Sequence, residues 1–376
     1  PGQTQYDITF AKDTVCDILI VGGGGGGGKP FSGGGGGGEV IYFQNKNIPS
    51  GSYTIKVGKG GSGSTVNNRG SNGEQSEAFL AISSGGGGGG GYSQYNHASG
   101  LNGGCGGGAG YNNTTNGIKQ LTDNSGSDIY SNWGGTNNQY AGDGNDGGAS
   151  GGFAGGGGGA GGSLSSLNPD GNDGIQINID GNNHYWAGGG GGYSESSTDA
   201  YHSGDGGKGG GGGGSGVGGD SNDGKGGTGG INIGGPALDT SSGNGGDGGV
   251  HTGGGGGGTQ LGYGGNGGSG IVIIRYSKQH IKLNDTSYET NVTFDLNVWY
   301  RWTFTYDGTN AKIYMMNIGN TGLTPTPISQ VGEELTPTFT GWDAETFDKV
   351  LIGGGNGISK PIKSIRIVGV KDQTTN

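Results

Sequence analysis

Apolar side chains are scarce in this chain. Hydrophobic residues make up 27% of the 376, where an ordinary domain is nearly half apolar with glycine included. Too few Leu, Ile, Val and Phe are present to fill the two or three cores that the length alone would suggest. Proline is also scarce, at 9 residues, which excludes collagen, since a triple helix needs abundant proline and glycine at every third position. Basic residues number 19 against 30 acidic, for a net charge of −11. A nucleic-acid partner, which is bound through a basic stripe, is therefore not expected. No apolar run reaches the ~18 residues of a membrane-spanning helix, so no membrane span is expected. The chain opens at Pro1 with no charged-plus-apolar leader, as expected of a mature product or a piece of a longer chain.

What is abundant is glycine, 106 residues, nearly all of it between residues 22 and 270. It comes in blocks at 22–28, 33–38, 85–91, 103–110, 155–162, 188–192, 209–214 and 253–258. Ordering a residue costs about 1–2 kcal/mol, and glycine loses more freedom than any other residue. Two arrangements answer that cost. Glycine blocks can form extended threefold polyproline-II helices packed backbone to backbone, each N–H finding a carbonyl on a neighbour. Alternatively they form irregular loops over a small sheet.

Strands are expected at both edges of the glycine region. Tyr6 to Phe10 alternates, and Cys16 to Val21 is a short apolar run. Further candidates are 39–44, 52–57, 78–82 and the closing Ile271 to Tyr276. Beyond it the composition becomes ordinary β sequence. Trp299 to Tyr306 alternates, the turn 307–310 follows, and then Ala311 to Met315; 350–353 and 362–370 supply closing strands. The expected fold is all-β: a glycine-rich module over 1–276, with a small β-sheet and packed polyglycine helices of the polyproline-II type, then a short β-sandwich-like module over 277–376. No 3.6-residue period survives between glycines, so no long helix is expected.

Catalytic constellations are weak. The 5 histidines are scattered, and neither a nucleophile elbow nor a zincin pattern occurs. Gly-x-Gly-x-x-Gly recurs wherever glycine is dense and carries no phosphate-binding information without a βαβ unit. No catalytic residue and no cofactor is therefore assigned, and the expectation is a protein that is not an enzyme. The repeat Asp-x-Asn-Asp-Gly places Asp143 and Asp146, Asp170 and Asp173, and Asp220 and Asp223 on tight turns. Such oxygen clusters can hold calcium, but Asn and Asp beside Gly are also ordinary turn residues. Cys16 and Cys105 either form a disulfide, closing a loop of about 90 residues, or stay as buried free thiols. Asn112, Asn113, Asn284 and Asn291 match the glycosylation acceptor pattern.

Aromatic residues interrupt the glycine blocks amid Asn, Ser and Asp, a composition like that of a paratope. Tyr130, Trp133, Tyr140, Tyr185 and Trp186 are the candidates for gripping a ligand such as a host glycan. The alternative is that these rings cover the glycine backbone.

The run Asp17-Ile-Leu-Ile-Val followed by Gly22 to Gly28, the segment Gly51-Ser-Tyr-Thr-Ile-Lys-Val-Gly58, and the closing Gly264 to Tyr276 together resemble a glycine-rich module. It is similar to that of surface and fibre proteins of large DNA viruses of algae and protists. It is also similar to the tail-fibre tip adhesins of T-even-like phages. The stretch Asn297 to Tyr314 resembles the central hairpin of laminin-G and concanavalin-A-like sandwiches, although the remaining length is short for one. These resemblances imply a non-enzymatic virion-surface or extracellular protein with a structural or attachment role. Its partners would be other copies or other structural proteins of a virion or fibre, and host glycans. A glycan-binding adhesin acting through the C-terminal module, or a subunit of a secreted matrix or filament, are the alternatives.

Overall fold

The computed structural model describes residues 4–92, 94, 97–113, 115, 117–124, 133–144, 152–162, 168–195, 202–216, 224–238, 243–276, 279–283, 286–290, 299–306, 311–319 and 350–354. The chain divides into two compact units, 1–276 and 277–376. The fold is all-β, and among the described residues no helix is long and apolar enough to cross a membrane.

In the first unit the ordinary side chains are concentrated in two sheets. One has the order β10 (Ile271–Tyr276), β2 (Thr14–Val21), β3 (Val40–Ile48), β7 (Thr136–Tyr140). The other runs β1 (Gln5–Phe10), β4 (Gly51–Lys56), β5 (Ser76–Ala78), β6 (Ala81–Ser83). All pairings are antiparallel. Strand β2 shows why its apolar run does not alternate. Ile18 and Ile20 face a cluster with Phe10, Phe43, Ile55 and Phe79, whereas Leu19 and Val21 face a second cluster with Tyr42, Ile177 and Trp186. Both faces of the strand are buried, so both parities are apolar. A short hairpin, β8 (Ile175–Ile177) with β9 (His184–Trp186), contributes to that second cluster.

One expectation about strands needs correction. Residues 78–82 are not one strand. Phe79 and Leu80 have φ of 51° and 70° and form the turn of the β5–β6 hairpin. The strands flanking the glycine region, β2 and β10, share one sheet with β3, whereas β4 belongs to the second sheet.

The glycine tracts leave these sheets and return to them. Their main-chain bonds follow a register of three. In tract 22–28, the N–H groups of Gly22, Gly25 and Gly28 donate to the carbonyls of Glu39, Gly36 and Gly33. Those of Gly23 and Gly26 donate to Glu74 and Ser71, and those of Gly24 and Gly27 to Gly268 and Gly265. Three other segments donate back: Gly86 and Gly89 to Gly23 and Gly26, Gly61 and Ser64 to Gly24 and Gly27, and Gly256 to Gly25. Tract 33–38 repeats the pattern with the tracts at 85–91, 155–158 and 253–256 as acceptors. Both tracts are fully buried.

At this spacing no side chain fits. A Cβ on Gly25 would overlap the Gly87 carbonyl, one on Gly35 the Gly25 carbonyl, and one on Gly157 the Gly35 carbonyl. The obstacle is backbone that is itself bonded on its other sides, so it has no room to give.

In the second unit, β11 (Gln279–Leu283) lies between β12 (Thr286–Thr290) and β15 (Val350–Gly354). β13 (Trp299–Tyr306) pairs with β14 (Ala311–Gly319), with an irregularity at Trp299/Tyr300. The hairpin expected from the alternation of 299–306 is thus present, while 362–370 lies outside the described residues.

A Gly157→Val substitution is expected to destabilise the first unit by more than the ~1–3 kcal/mol typical of overpacking. Thr228→Ala, at an exposed position, should change it by less than ~0.5 kcal/mol. Chemical denaturation of both variants checks the contrast; equal stability would mean that the tracts are loosely packed.

Candidate functional site

Tract direction defines two ends of the glycine region in the first unit. Gly22, Gly38 and Gly270 adjoin the sheet strands. At the opposite end the turn 29–32 reverses the chain, with a cis Lys29–Pro30 bond and Phe31 at φ 44°. Tracts 85–91, 103–110 and 188–192 also terminate at this far end, and each is followed by a tyrosine: Tyr92, Tyr111 and Tyr193. Their rings meet Phe31 at centroid distances of 5.2 Å for Tyr92, 6.3 Å for Tyr111 and 5.2 Å for Tyr193. Tyr193 is buried and the other three are half-buried. The Tyr111 hydroxyl donates to a Glu195 carboxylate oxygen at 3.0 Å. Burial, and secondarily the charge of Glu195, pushes the Tyr193 phenol well above its ordinary range. The sequence signal for this cap is a Gly-Tyr at the end of a block.

Of the described aromatic residues expected to grip a ligand, three belong to the apolar clusters of the sheets. Trp186 is fully buried and its Nε1–H donates to the Ile177 carbonyl at 3.1 Å. It is a core residue, and the expectation that it stacks on a ligand is corrected. Trp133 packs against the first cluster, its ring 6.2 Å from Tyr53. Tyr140 packs against the second cluster as the last residue of β7. Tyr185 is half-buried, with the Lys208 ammonium 5.4 Å from its ring centroid. Tyr130 lies outside the described residues. Three of the four described members are thus committed to the apolar clusters, and Tyr185 is half-buried.

The aspartates of the repeat have a consistent main-chain role. Oδ1 of Asp143 accepts from the Lys119 N–H at 2.8 Å, that of Asp170 from Asp205 at 2.9 Å, and that of Asp173 from Lys208 at 2.9 Å. The same use continues around the rim: Asp205 accepts from Lys225, Asp247 from Asn266, Asn266 from Gly63 and Asn72 from Gly88. A rim tract lacks a backbone neighbour on its outer side, and a short carboxamide or carboxylate supplies the missing acceptor. The signal available in the sequence was Asx at three-residue spacing inside glycine, as at 170 and 173 or 244 and 247. Among the described residues no group of three or more His, Cys, Asp or Glu could hold a metal ion. Asp146, Asp220 and Asp223 lie outside the described residues.

The disulfide reading of Cys16 and Cys105 is corrected as well. Both thiols are free and buried, on opposite faces of the β10–β2–β3–β7 sheet. Burial pushes both up to about 12, so they stay protonated. The Cys16 thiol faces the Thr14 carbonyl at 3.6 Å and the Cys105 thiol that of Gly38 at 3.5 Å. Of the glycosylation candidates, Asn112 is exposed in a turn with φ 57°, and the Asn113 side chain accepts from the Thr115 N–H. Asn284 and Asn291 lie outside the described residues.

One buried carboxylate went unnoticed in the sequence. Glu39 joins tract 33–38 to β3 and is fully buried. It accepts from the Ser84 N–H at 2.8 Å, the Thr122 hydroxyl at 2.9 Å and the Gln139 side-chain amide at 2.8 Å. Desolvation raises its carboxyl above the ordinary value, and these hydrogen bonds pull it part of the way back. A raised folded-state pKa gives stability that is full below the unfolded value and is lost as pH rises through the folded value.

Two substitutions test these assignments. Glu39→Gln should cost about 1–3 kcal/mol, since its amide N–H₂ faces donors. The parent should also lose stability, relative to this variant, as pH rises from the ordinary glutamate value through the raised one; parallel pH profiles would refute the shift. Trp186→Ala should cost about 3–5 kcal/mol, and Trp133→Ala less, when unfolding is followed by denaturant titration.

No curated protein matches the chain. Residues 2–251 match a family described as a glycine-rich domain. That stretch runs from the first strands through the far-end cap and the Asx rim, and on this match the chain belongs to the glycine-rich domain family.

Proposed function

We propose that this chain is a non-enzymatic structural and attachment protein of a virion surface or an extracellular fibre. In this reading the tracts are threefold polyproline-II helices bundled into a stiff scaffold. The three-residue rotation of donors supports this, because such a helix has 3 residues per turn. The observation that carries the functional reading is the segregation of side chains. The interior tracts exclude them, and they are confined to the sheets, the rim and the far-end cap. A body of this kind serves as a support, and its recognition chemistry belongs to the far end and the rim.

No cofactor enters this reading. The described rim carboxylates each accept a main-chain N–H group through one oxygen, which suits a scaffold better than a reaction centre. The partners are further copies or other structural proteins of the particle, and glycans of the host surface. The second unit is assigned to assembly within that particle, in line with the likeness of its 297–314 hairpin to sandwich modules.

The test has two arms. Gold-labelled antibody against the chain should decorate the surface of intact particles, and labelled full chain should bind host cells saturably, in competition with unlabelled chain. Absence of both refutes the proposal. Circular dichroism should show the strong negative band of polyproline-II backbone without helical minima, together with slow amide exchange in tracts 22–28 and 33–38. Fast exchange there would replace the bundle with loops.

A further inference from the structure

Beside the turn that holds Lys29, four rim segments line an open groove of about 440 Å³. Its walls include Thr65, Pro236, Leu238, Asn244, Asp247 and Tyr263. Two of these are large and exposed, Leu238 at 59% and Tyr263 at 52%. The Lys29 ammonium lies over the Tyr263 ring, 4.6 Å from its centroid. The ammonium thus sits on one side of a ring that keeps about half its surface exposed.

The polar groups of the groove are held by the rim ladder. Asn244 Oδ1 accepts from the Tyr263 N–H at 2.8 Å, which fixes the amide against the ring that follows. Asp247 Oδ1 accepts from the Asn266 N–H at 2.7 Å and from its side-chain amide at 3.2 Å. Each of these side chains uses one atom on the scaffold. Among the described residues, no partner occupies the Asn244 Nδ2 donor or the Asp247 Oδ2 acceptor. The groove therefore offers one aromatic face, one aliphatic wall, one fixed acceptor and one fixed donor.

The main chain lining the groove has already been used. The N–H groups of Gly235, Gly245, Gly246 and Gly264 donate to Asp247, Tyr263, Gly213 and Ser64 carbonyls, and that of Gly63 donates to Asn266. The N–H groups of the groove's five glycines are thus taken, which leaves few donors for a peptide added as a strand. An anionic ligand would meet the Asp247 carboxylate on a protein of net charge −11. A neutral ring with one apolar face and hydroxyls at its edge fits both surfaces.

We propose that this groove is a saccharide subsite. A neutral pyranose stacks its apolar face on Tyr263 beside Leu238, while one hydroxyl donates to Asp247 Oδ2 and another accepts from Asn244 Nδ2. Adjacent hydroxyls both donate and accept, so a fixed acceptor and a fixed donor select the orientation of the ring. This deepens the attachment reading and rests on it. It also moves the sugar contact away from Trp133 and Trp186, which are committed to the cores.

The experiment is a titration of the full chain with a panel of neutral pyranoses (glucose, galactose, mannose and N-acetylglucosamine), followed by amide NMR shifts. At least one sugar should shift the amides of Tyr263, Gly245 and Gly264 with millimolar affinity. Tyr263→Ala should weaken it at least tenfold, and Asp247→Asn severalfold, since Oδ1 keeps its scaffold bond while Oδ2 becomes a donor. Unchanged amide exchange in tract 22–28 certifies that each variant is folded. If no sugar moves these amides, or if the shifts persist in Tyr263→Ala, the subsite is refuted. Cell binding separates this from the broader reading. Cells bound by a chain that takes no sugar would leave attachment standing and remove the subsite. Sugar bound in the groove by a chain that ignores cells would do the reverse.

Discussion

Main-chain hydrogen bonding between tracts too close for a Cβ is the constraint on which the first unit depends. Each inner tract donates in three directions and accepts from three others, so the backbone itself fills the space that side chains fill elsewhere. A net contribution of about 0.5–1.5 kcal/mol per hydrogen bond is of the same order as the ~1–2 kcal/mol lost on ordering a residue. The second α-hydrogen of glycines such as Gly25 and Gly35 points at a neighbouring carbonyl, and contacts of that kind add about 0.5–1 kcal/mol each. The balance is close, and it depends on every tract being present. Removing one tract would leave donors and acceptors on several others unpaired.

The sheets supply what the tracts cannot. Ile18, Ile20, Phe43 and Phe79 on one face and Leu19, Val21 and Trp186 on the other form conventional apolar clusters. Apolar burial of this type is non-directional and strong. It anchors the ends of tracts 22–28 and 33–38, which continue from β2 and lead into β3, in the alignment that their hydrogen bonds require. Glu39 stands at that junction, where one carboxylate collects donors from Ser84, Thr122 and Gln139. At the far end no sheet is available, and the rings of Phe31, Tyr92, Tyr111 and Tyr193 close the bundle instead.

Much of this was legible in the sequence, and the failures have specific causes. Strands Gln5–Phe10, Thr14–Val21 and Ile271–Tyr276 announce themselves by β-branched and apolar runs bounded by glycine, and the glycine blocks mark the tracts. The hairpin at 76–83 was hidden because Phe79 and Leu80 occupy left-handed turn positions that usually call for Asn or Gly. Trp186 reads as a surface ring because its neighbours are Asn182, Asn183 and His184, yet a nearby backbone carbonyl satisfies its indole and lets it be buried. Asp170 and Asp173 look like ligands for a cation because local composition cannot reveal that the next tract over presents an N–H to each. That information lies in segments more than thirty residues away, at Asp205 and Lys208. Cys16 and Cys105 are likewise assigned by which face of a sheet each occupies, and neither spacing nor count encodes that.

The register of three also explains how such a body can carry side chains without losing its fold. In an inner tract all three directions are taken, and each position must be glycine or nearly so. A rim tract has neighbours on only part of its circumference, so one position in each group of three is released from the steric limit. Asn244 and Asp247, or Asp170 and Asp173, occupy such positions, and each accepts a main-chain N–H of a neighbouring segment through one oxygen. Residues on adjacent tracts are brought side by side by the same bonds that hold the interior, as Tyr263 is held against Asn244. The outward chemistry of the rim can therefore change residue by residue while the acceptor that secures each tract is retained. Side chains that need neither a core nor a loop to position them inherit the rigidity of the glycine interior.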